Sequence, residues 1–253
     1  MSTPATTERR ALVVEDDEDI SELIGFTLAK QGFEVRTVHD GPSAVTAVPE
    51  FDPDLITLDL GLPGLDGLEV CRRVRSETDA YVVMITARGD EVDRLIGLET
   101  GADDFLAKPF SSRELAARVN AMFRRPRRGP QAEATPSPEI AAPAMPGEDH
   151  EVLRHGMLTV DVDGRQVHRN GEELELTRTE FDLLTELMRT PARVWSREAL
   201  LRSVWGNEWA SDTHLVEVHV GNLRRKLSQG AGDQRFIRTV RGVGYRMEAA
   251  VTA

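Results

Sequence analysis

Five short apolar runs, each followed by a stretch of helical period, fill the first 123 residues of this 253-residue chain. The runs are Ala11–Val14, Val35–Val38, Leu55–Leu58, Tyr81–Ile85 and Phe105–Ala107. After the first come Ile20, Leu23, Ile24, Phe26, Thr27 and Leu28 at helical spacing, with Gly32 as the stop. Gly41-Pro42 opens a second helix, with proline at an early position. Leu68–Val74, Val92–Leu98 and Leu115–Phe123 complete the series. Continuous apolar strands, each returning through a helix, predict a parallel sheet covered on both faces. Five units are too few for an eight-fold barrel, which leaves a doubly wound α/β sheet.

The pattern stops after Phe123. Arg124 to Asp149 holds six of the thirteen prolines and no hydrophobic period. Such a stretch cannot bury enough surface to offset its ordering entropy, so it reads as a flexible, partly extended linker. Beyond it, Leu158–Val160, Gln166–His168 and Leu174–Leu176 read as short strands joined by Asp163-Gly164 and Asn170-Gly171 turns. Helices are predicted near Thr179–Arg189, near Arg197–Val204 and over Thr213–Leu227. Phe236–Val240, the Gly242-Val243-Gly244 turn and Tyr245–Met247 form a closing hairpin. Helices followed by a glycine-turned basic hairpin predict a winged helix-turn-helix. The expected organisation is a first domain over 1–123, a linker over 124–150 and a second domain over 151–253.

The formal net charge of -12 is unevenly placed. Residues 1–123 carry 24 acids against 12 Lys/Arg, whereas residues 213–247 carry seven Lys/Arg against two acids. The local basic patch fits a phosphate backbone although the whole chain is acidic. No apolar run approaches the roughly 20 residues that span a bilayer, and Met1 to Arg10 has no apolar core of a secretory signal. The single cysteine, Cys71, excludes an intramolecular disulfide and a Cys-rich metal cluster. These features point to the cytoplasm, with no membrane partner.

In an open parallel sheet, ligands sit at the carboxyl ends of the strands. Glu15 and Asp16 end the first strand, Asp59 the third, Thr86 the fourth and Lys108 the fifth. Clustered carboxylates repel, and a hard divalent cation such as Mg2+ removes the conflict. Lys108 and the Thr86 hydroxyl are placed to hold further oxygens of a phosphoryl group. No base, serine nucleophile or nucleotide-binding glycine loop accompanies them.

These residues resemble a known family. Ala11-Leu-Val-Val-Glu-Asp-Asp, Asp59 with Leu62-Pro63-Gly64, Met84-Ile-Thr-Ala-Arg and Gly101-Ala-Asp-Asp-Phe-Leu-Ala-Lys-Pro-Phe are similar to a receiver domain of two-component signalling. The fold implied is the flavodoxin-like (βα)5 receiver. The second half resembles the OmpR/PhoB winged-helix output domain, with an N-terminal antiparallel sheet. The resemblance implies a response regulator, not an enzyme, phosphorylated on Asp59 by a sensor histidine kinase. It further implies that Asp16, Asp59 and the Gly61 carbonyl bind Mg2+, with Glu15 acting mainly through a water. Thr86 would hydrogen-bond the phosphoryl group, Lys108 would pair with it, and the Lys108-Pro109 bond would be cis. Thr86 and Phe105 would form the switch, Phe105 standing where the family often has tyrosine. Asp17 falls outside the metal set and reads as a helix cap.

The family forms homodimers on phosphorylation. Its charged positions map to Arg94, Glu99, Asp104, Glu114, Arg118 and Arg125, implying cross-subunit pairs Arg94–Glu114, Glu99–Arg118 and Asp104–Arg125. Within the last helix, Val216, Val220, Leu223 and Leu227 form an apolar stripe, and Asp212 or Ser211 is its expected cap. His214, Val218, Gly221 and Arg225 lie opposite, with Asn222 and Arg224 on the flanks. A polar face opposite an apolar one suits the major groove of double-stranded promoter DNA, with direct repeats implied by the family. Arg241 would reach the minor groove from the wing. Trp205, His219, Arg224 and Tyr245 are phosphate-contact candidates by resemblance, although Trp205 fits the core equally well and His219 fits a hydrogen-bonded helix site. Residues 205–212 would face RNA polymerase. The rival readings are a phosphatase with Asp59 as nucleophile, and a receiver that works unphosphorylated. Gly61 stands where the phosphatase needs its general acid, and all of Asp59, Thr86 and Lys108 are present.

Overall fold

The computed structural model describes residues 9–87, 91–123, 151–206, 213–229 and 235–249; for Thr86 and residues 91–95 it describes the backbone alone. The first domain alternates β1 (Arg9–Val14), α1 (Glu18–Ala29), β2 (Phe33–Val38), α2 (Gly41–Phe51) and β3 (Leu55–Leu58). It continues through α3 (Gly67–Val74), β4 (Tyr81–Thr86), α4 (Glu91–Thr100), β5 (Asp104–Ala107) and α5 (Ser112–Met122). The strands pair in parallel in the order β2-β1-β3-β4-β5. The order turns back between β1 and β3, so the crevice at their carboxyl ends is where a doubly wound sheet takes a ligand.

Local chemistry sets the helix starts. Asp17, Asp40, Asp66 and Ser111 cap α1, α2, α3 and α5, each accepting a backbone N–H from inside the first turn. Each such cap contributes about 1 kcal/mol. The capping role expected of Asp17 is thus present. The sheet buries both faces. Ala11, Val13, Leu55, Val83, Ile85 and Leu106 pack under α1 and α5, and Leu12, Val14, Ile56, Leu58, Val82 and Met84 pack toward α2 to α4.

The second domain begins with the antiparallel meander β6 (Val152–His155), β7 (Leu158–Asp161), β8 (Gln166–Arg169) and β9 (Glu172–Glu173). The helices α6 (Arg178–Arg189), α7 (Arg197–Val204) and α8 (His214–Ser228) follow. The two-residue β10 (Trp195–Ser196) joins β12 (Gly244–Met247) and β11 (Ile237–Val240) in the wing sheet. The strand expected at Leu174–Leu176 lies instead at Glu172–Glu173. Asn170 and Gly171 both take positive φ, 52° and 84°, so the turn closes in two residues and pairing resumes at once as Arg169↔Glu172. The expected caps Ser211 and Asp212 of α8, like the linker 124–150, Arg125 and Trp209, lie outside the described residues. Thr213 holds the N-cap position of α8 and makes no side-chain cap bond.

The domains touch. One continuous buried cluster runs from the α2–α4 side of the parallel sheet into the core of the second domain. Helix α4 packs against α8. Among the described residues, no helix is long and apolar enough to cross a membrane.

Candidate functional site

Three carboxylates meet at the β1/β3 crevice. Oxygen atoms of Glu15, Asp16 and Asp59 all lie within 4.8 Å of one another. Glu15 and Asp59 are buried and Asp16 is exposed. From the end of β5, Lys108 Nζ donates to Glu15 Oε1 at 2.6 Å and to Asp59 Oδ2 at 2.5 Å. The peptide bond to Pro109 is cis. Gly61 N–H donates to Asp59 Oδ1 at 3.0 Å.

The electrostatics are those of a crowded acidic pocket. Burial, and then the Asp59 charge, push the Glu15 carboxyl up to about 7 against the pull of Lys108. Burial opposes the charge on Lys108, but hydrogen bonds and attraction from Asp59 and Glu15 outweigh it and hold the ammonium above its ordinary pKa. Glu15 Oε2 is buried with no hydrogen-bond partner among the described residues. A buried orphan carboxylate oxygen beside two more carboxylates fits a hard cation with oxygen ligands. Phe105 is buried, 4% exposed. The Thr86 side chain lies outside the described atoms.

On the α4, β5 and α5 face, three of the predicted charged residues pair within the chain. Arg118 reaches Glu114 Oε1 at 2.9 Å and Asp104 Oδ1 at 3.3 Å. Asp104 is fully buried. Glu99 is exposed. The Arg94 side chain is not described.

The second domain divides the candidate DNA contacts into two groups. Gly221, Arg225 and Arg241 are exposed, and His214 is half-exposed beside Glu217. Arg224 donates to Ile237 O and Thr239 Oγ1 while lying over the Tyr245 ring, which is itself buried. Trp205, His219 and Asn222 are 3%, 1% and 4% exposed. The sequence placed Asn222 on an accessible flank and offered all three as contacts. In this arrangement of the chain the first domain covers all three. Trp205 Nε1 donates to Asp103 O, His219 Nε2 lies 3.3 Å from the same oxygen, and Asn222 Nδ2 donates to Leu98 O at 3.0 Å.

Sequence reasoning missed two features of this contact. Arg178 at the start of α6 pairs with Asp79 at 3.1 Å and lies over the Tyr81 ring. Arg75 at the end of α3 holds Asp103 at 2.5 Å. Neither has a local sequence signal, because each partner is fixed by the tertiary fold.

An acidic crevice on a (βα)5 sheet, joined to a winged helix, defines the class of the molecule as a DNA-binding response regulator. Residues 11–120 match the response regulator receiver domain family, and residues 171–247 match the family described as transcriptional regulatory protein, C terminal. The chain is 42% identical over 241 residues to the DNA-binding response regulator MtrA of Mycobacterium tuberculosis, covering 95% of this chain and 97% of that one. It is 40% identical over 237 residues to the sensory transduction protein RegX3 of Mycolicibacterium smegmatis, covering 94% and 98%. A solved structure of a RitR mutant superposes with a TM-score of 0.71 at 28% identity, covering 96% of this chain and 100% of that one. The chain belongs to the OmpR/PhoB-type response regulators of two-component systems, which regulate transcription through a receiver and a DNA-binding domain.

Proposed function

We propose that Asp59 is the phosphoacceptor of this regulator and that a sensor histidine kinase supplies the phosphoryl group. The observation that carries this reading is Lys108 Nζ, 2.5 Å from Asp59 Oδ2 beside two further carboxylates. An Asp59 carboxylate oxygen attacks phosphorus, the P–N bond to the kinase histidine breaks, and a P–O bond to Asp59 forms. Lys108 then exchanges its contact with the Asp59 carboxylate for a phosphoryl oxygen. The Thr86 hydroxyl bonds another, and Phe105 moves with it as the switch. Mg2+ is the cofactor that fits; Asp16, Asp59 and the Gly61 carbonyl would hold it, with Glu15 acting through a water. When bound, it neutralises charge on the transferring group.

Phosphorylation promotes a homodimer through α4, β5 and α5. Arg118 would leave Glu114 and Asp104 of its own chain for Glu99 of the partner chain, with Arg94–Glu114 and Asp104–Arg125 as the other cross-subunit pairs. The Arg118–Glu114 pair lies at the surface, where a pair contributes about 0–1 kcal/mol and mainly fixes orientation, whereas Asp104 is buried and keeps a cationic partner because Arg125 of the partner chain replaces Arg118. Two output domains, tethered through residues 124–150, then bind direct repeats in promoter DNA. His214, Asn222 and Arg225 face bases, Arg241 enters the minor groove, and Trp205, His219, Arg224 and Tyr245 stand along the phosphates. The segment after α7 meets RNA polymerase.

Transfer of radiolabelled phosphate from acetyl phosphate or a kinase tests the reading. Label is expected on the parent chain with Mg2+ and not on Asp59→Asn. Stable label on that variant, or full labelling in excess chelator, would refute it.

A further inference from the structure

Two loops bring the proposed cation ligands to the acidic pocket. Glu15 and Asp16 lie in the loop after β1, and Asp59 and Gly61 in the loop after β3. A third loop, the β2–α2 turn His39-Asp40-Gly41, adds no carboxylate to the cluster, yet it is bonded to both of the others. His39 Nδ1 lies 2.8 Å from Glu15 O. Gly41 N–H donates to Pro63 O at 3.3 Å, two residues beyond Gly61.

The local structure accounts for each bond. β1 and β2 pair in parallel as far as Val14↔Val38, and the Glu15 N–H still donates to Val38 O at 3.1 Å. Beyond Val38 the chain leaves the sheet for α2, and the His39 ring supplies a donor to the Glu15 carbonyl. A carbonyl only accepts, so Nδ1 carries the proton. The turn itself is held in place. Asp40 accepts from Ser43 N–H at 2.8 Å and from Ser43 Oγ at 2.7 Å. A Cβ on the buried Gly41 would collide with the Leu65 carbonyl oxygen, so α2 starts in direct contact with the loop after β3.

The Glu15 carbonyl belongs to the peptide that leads into Asp16. That peptide is planar, so fixing its oxygen fixes the direction in which the chain carries Asp16 away from β1. Asp16 is the exposed member of the three carboxylates. With little packing around it, its place depends on the backbone that bears it.

We propose that His39 is a positioning residue of the cation site, and that the His39-Asp40-Gly41 turn braces the Glu15–Asp16 loop against the Gly61–Pro63 loop. The proposal rests on the reading of the acidic pocket as a cation site. Mg2+ demands near-ideal octahedral geometry, so ligands carried on two loops must be kept at one separation. His39 does this without a carboxylate and without touching the phosphoacceptor. It is exposed on the rim of the crevice, so replacing it removes the bond without opening a core.

The test measures metal binding directly in the unphosphorylated full chain. The probe is Mn2+, which takes the same oxygen ligands, and the free ion is counted by electron paramagnetic resonance. His39→Ala is expected to raise the dissociation constant about tenfold, the lower end of what groups that orient metal ligands contribute. His39→Asn keeps an N–H donor as many bonds from the backbone as Nδ1 and is expected to recover most of the loss. Thermal unfolding without metal is followed in parallel. A lower melting temperature in His39→Ala with unchanged Mn2+ affinity would make the bond merely structural and overturn the proposal. Equal weakening in His39→Asn and His39→Ala overturns the assignment to the Nδ1 donor. A parent chain that binds Mn2+ no better than Asp59→Asn refutes the cation reading itself, and the brace falls with it.

Discussion

Replacing Arg75 with methionine should destabilise the receiver and loosen its hold on the output domain together. The Arg75 guanidinium donates to Asp103 Oδ2 at 2.5 Å, to Gly101 O at 2.7 Å and to Ala80 O. The two side chains are only 10% and 1% exposed. Methionine fills much of the volume but leaves the Asp103 carboxylate buried with the Val82 N–H as its remaining donor, at 2.9 Å. Removing one partner of a buried pair costs about 3–5 kcal/mol, most of it the stranded charge. Adding Asp103→Asn removes that charge and should restore part of the loss, a coupling of about 1–3 kcal/mol in a double-mutant cycle. The receiver has no tryptophan, since Trp195, Trp205 and Trp209 all follow the linker. Urea unfolding by far-UV circular dichroism therefore reports both domains, and tryptophan fluorescence isolates the output domain. Because the Asp103 carbonyl holds Trp205 and His219, the single variant should also expose tryptophan to quencher below its unfolding transition. A loss under about 1 kcal/mol, or strictly additive effects, would refute the claim that Arg75 neutralises a buried charge.

Gly67→Ala should abolish labelling of Asp59 and destabilise the receiver by about 1–3 kcal/mol, because a Cβ there would collide with the Asp59 carbonyl oxygen; phosphotransfer and thermal unfolding check both. Arg224→Ala should weaken binding to every duplex and flatten the salt slope, since a lost phosphate contact releases fewer counterions; an unchanged slope in anisotropy titrations would remove Arg224 from the phosphate set. Burial holds His219 below its ordinary pKa, with Asp103 and Glu180 pulling it up and Arg75 pushing it further down. The closed contact between the domains is then fully stable above the open-state pKa of about 6.5 and weakens as pH falls below it; tryptophan quenching should rise with acid in the parent chain, and an equal rise in His219→Gln would assign the effect elsewhere.

The receiver was legible because its signals are local. Continuous apolar runs such as Leu55–Leu58 mark strands buried on both faces, and the observed strand has the same limits. The acidic pocket was legible because strand ends in a parallel sheet converge, so the ends of β1, β3 and β5 bring Glu15, Asp16, Asp59 and Lys108 together. Short edges were not. β6 and β10 have four and two residues, too few to carry a period. The second buried flank of α8 was also hidden. Helical period exposes an apolar stripe, but His219 and Asn222 are polar, and their acceptors lie 116 and 124 residues away. A usable hint was present: the flank that meets the receiver holds uncharged polar side chains, while Arg225 is on the open face.

The placement of β5 ties the pocket to the DNA-binding helix. Its first residue follows Asp103, whose carbonyl holds Trp205 and His219, and its last precedes Lys108, which holds Asp59. Asp103 and Lys108 are five steps apart, roughly 17 Å at about 3.3 Å per residue. Alongside, α4 runs from just beyond the end of β4 to Leu98, the other carbonyl in the contact. Close-packed elements shift as units and do not deform freely. Leu106 in β5 is 1% exposed and Met84 in β4 is fully buried, so a shift of Lys108 toward a phosphoryl group has little room to dissipate before it reaches Asp103. A ligand can move this equilibrium only by the difference in its affinity for the closed and open forms. Among the described residues the closed form is held by the hydrogen bonds of Trp205, His219 and Asn222, the Arg178–Asp79 ion pair and a shared apolar cluster, and a coupling of about 1–3 kcal/mol changes binding by roughly 5- to 150-fold.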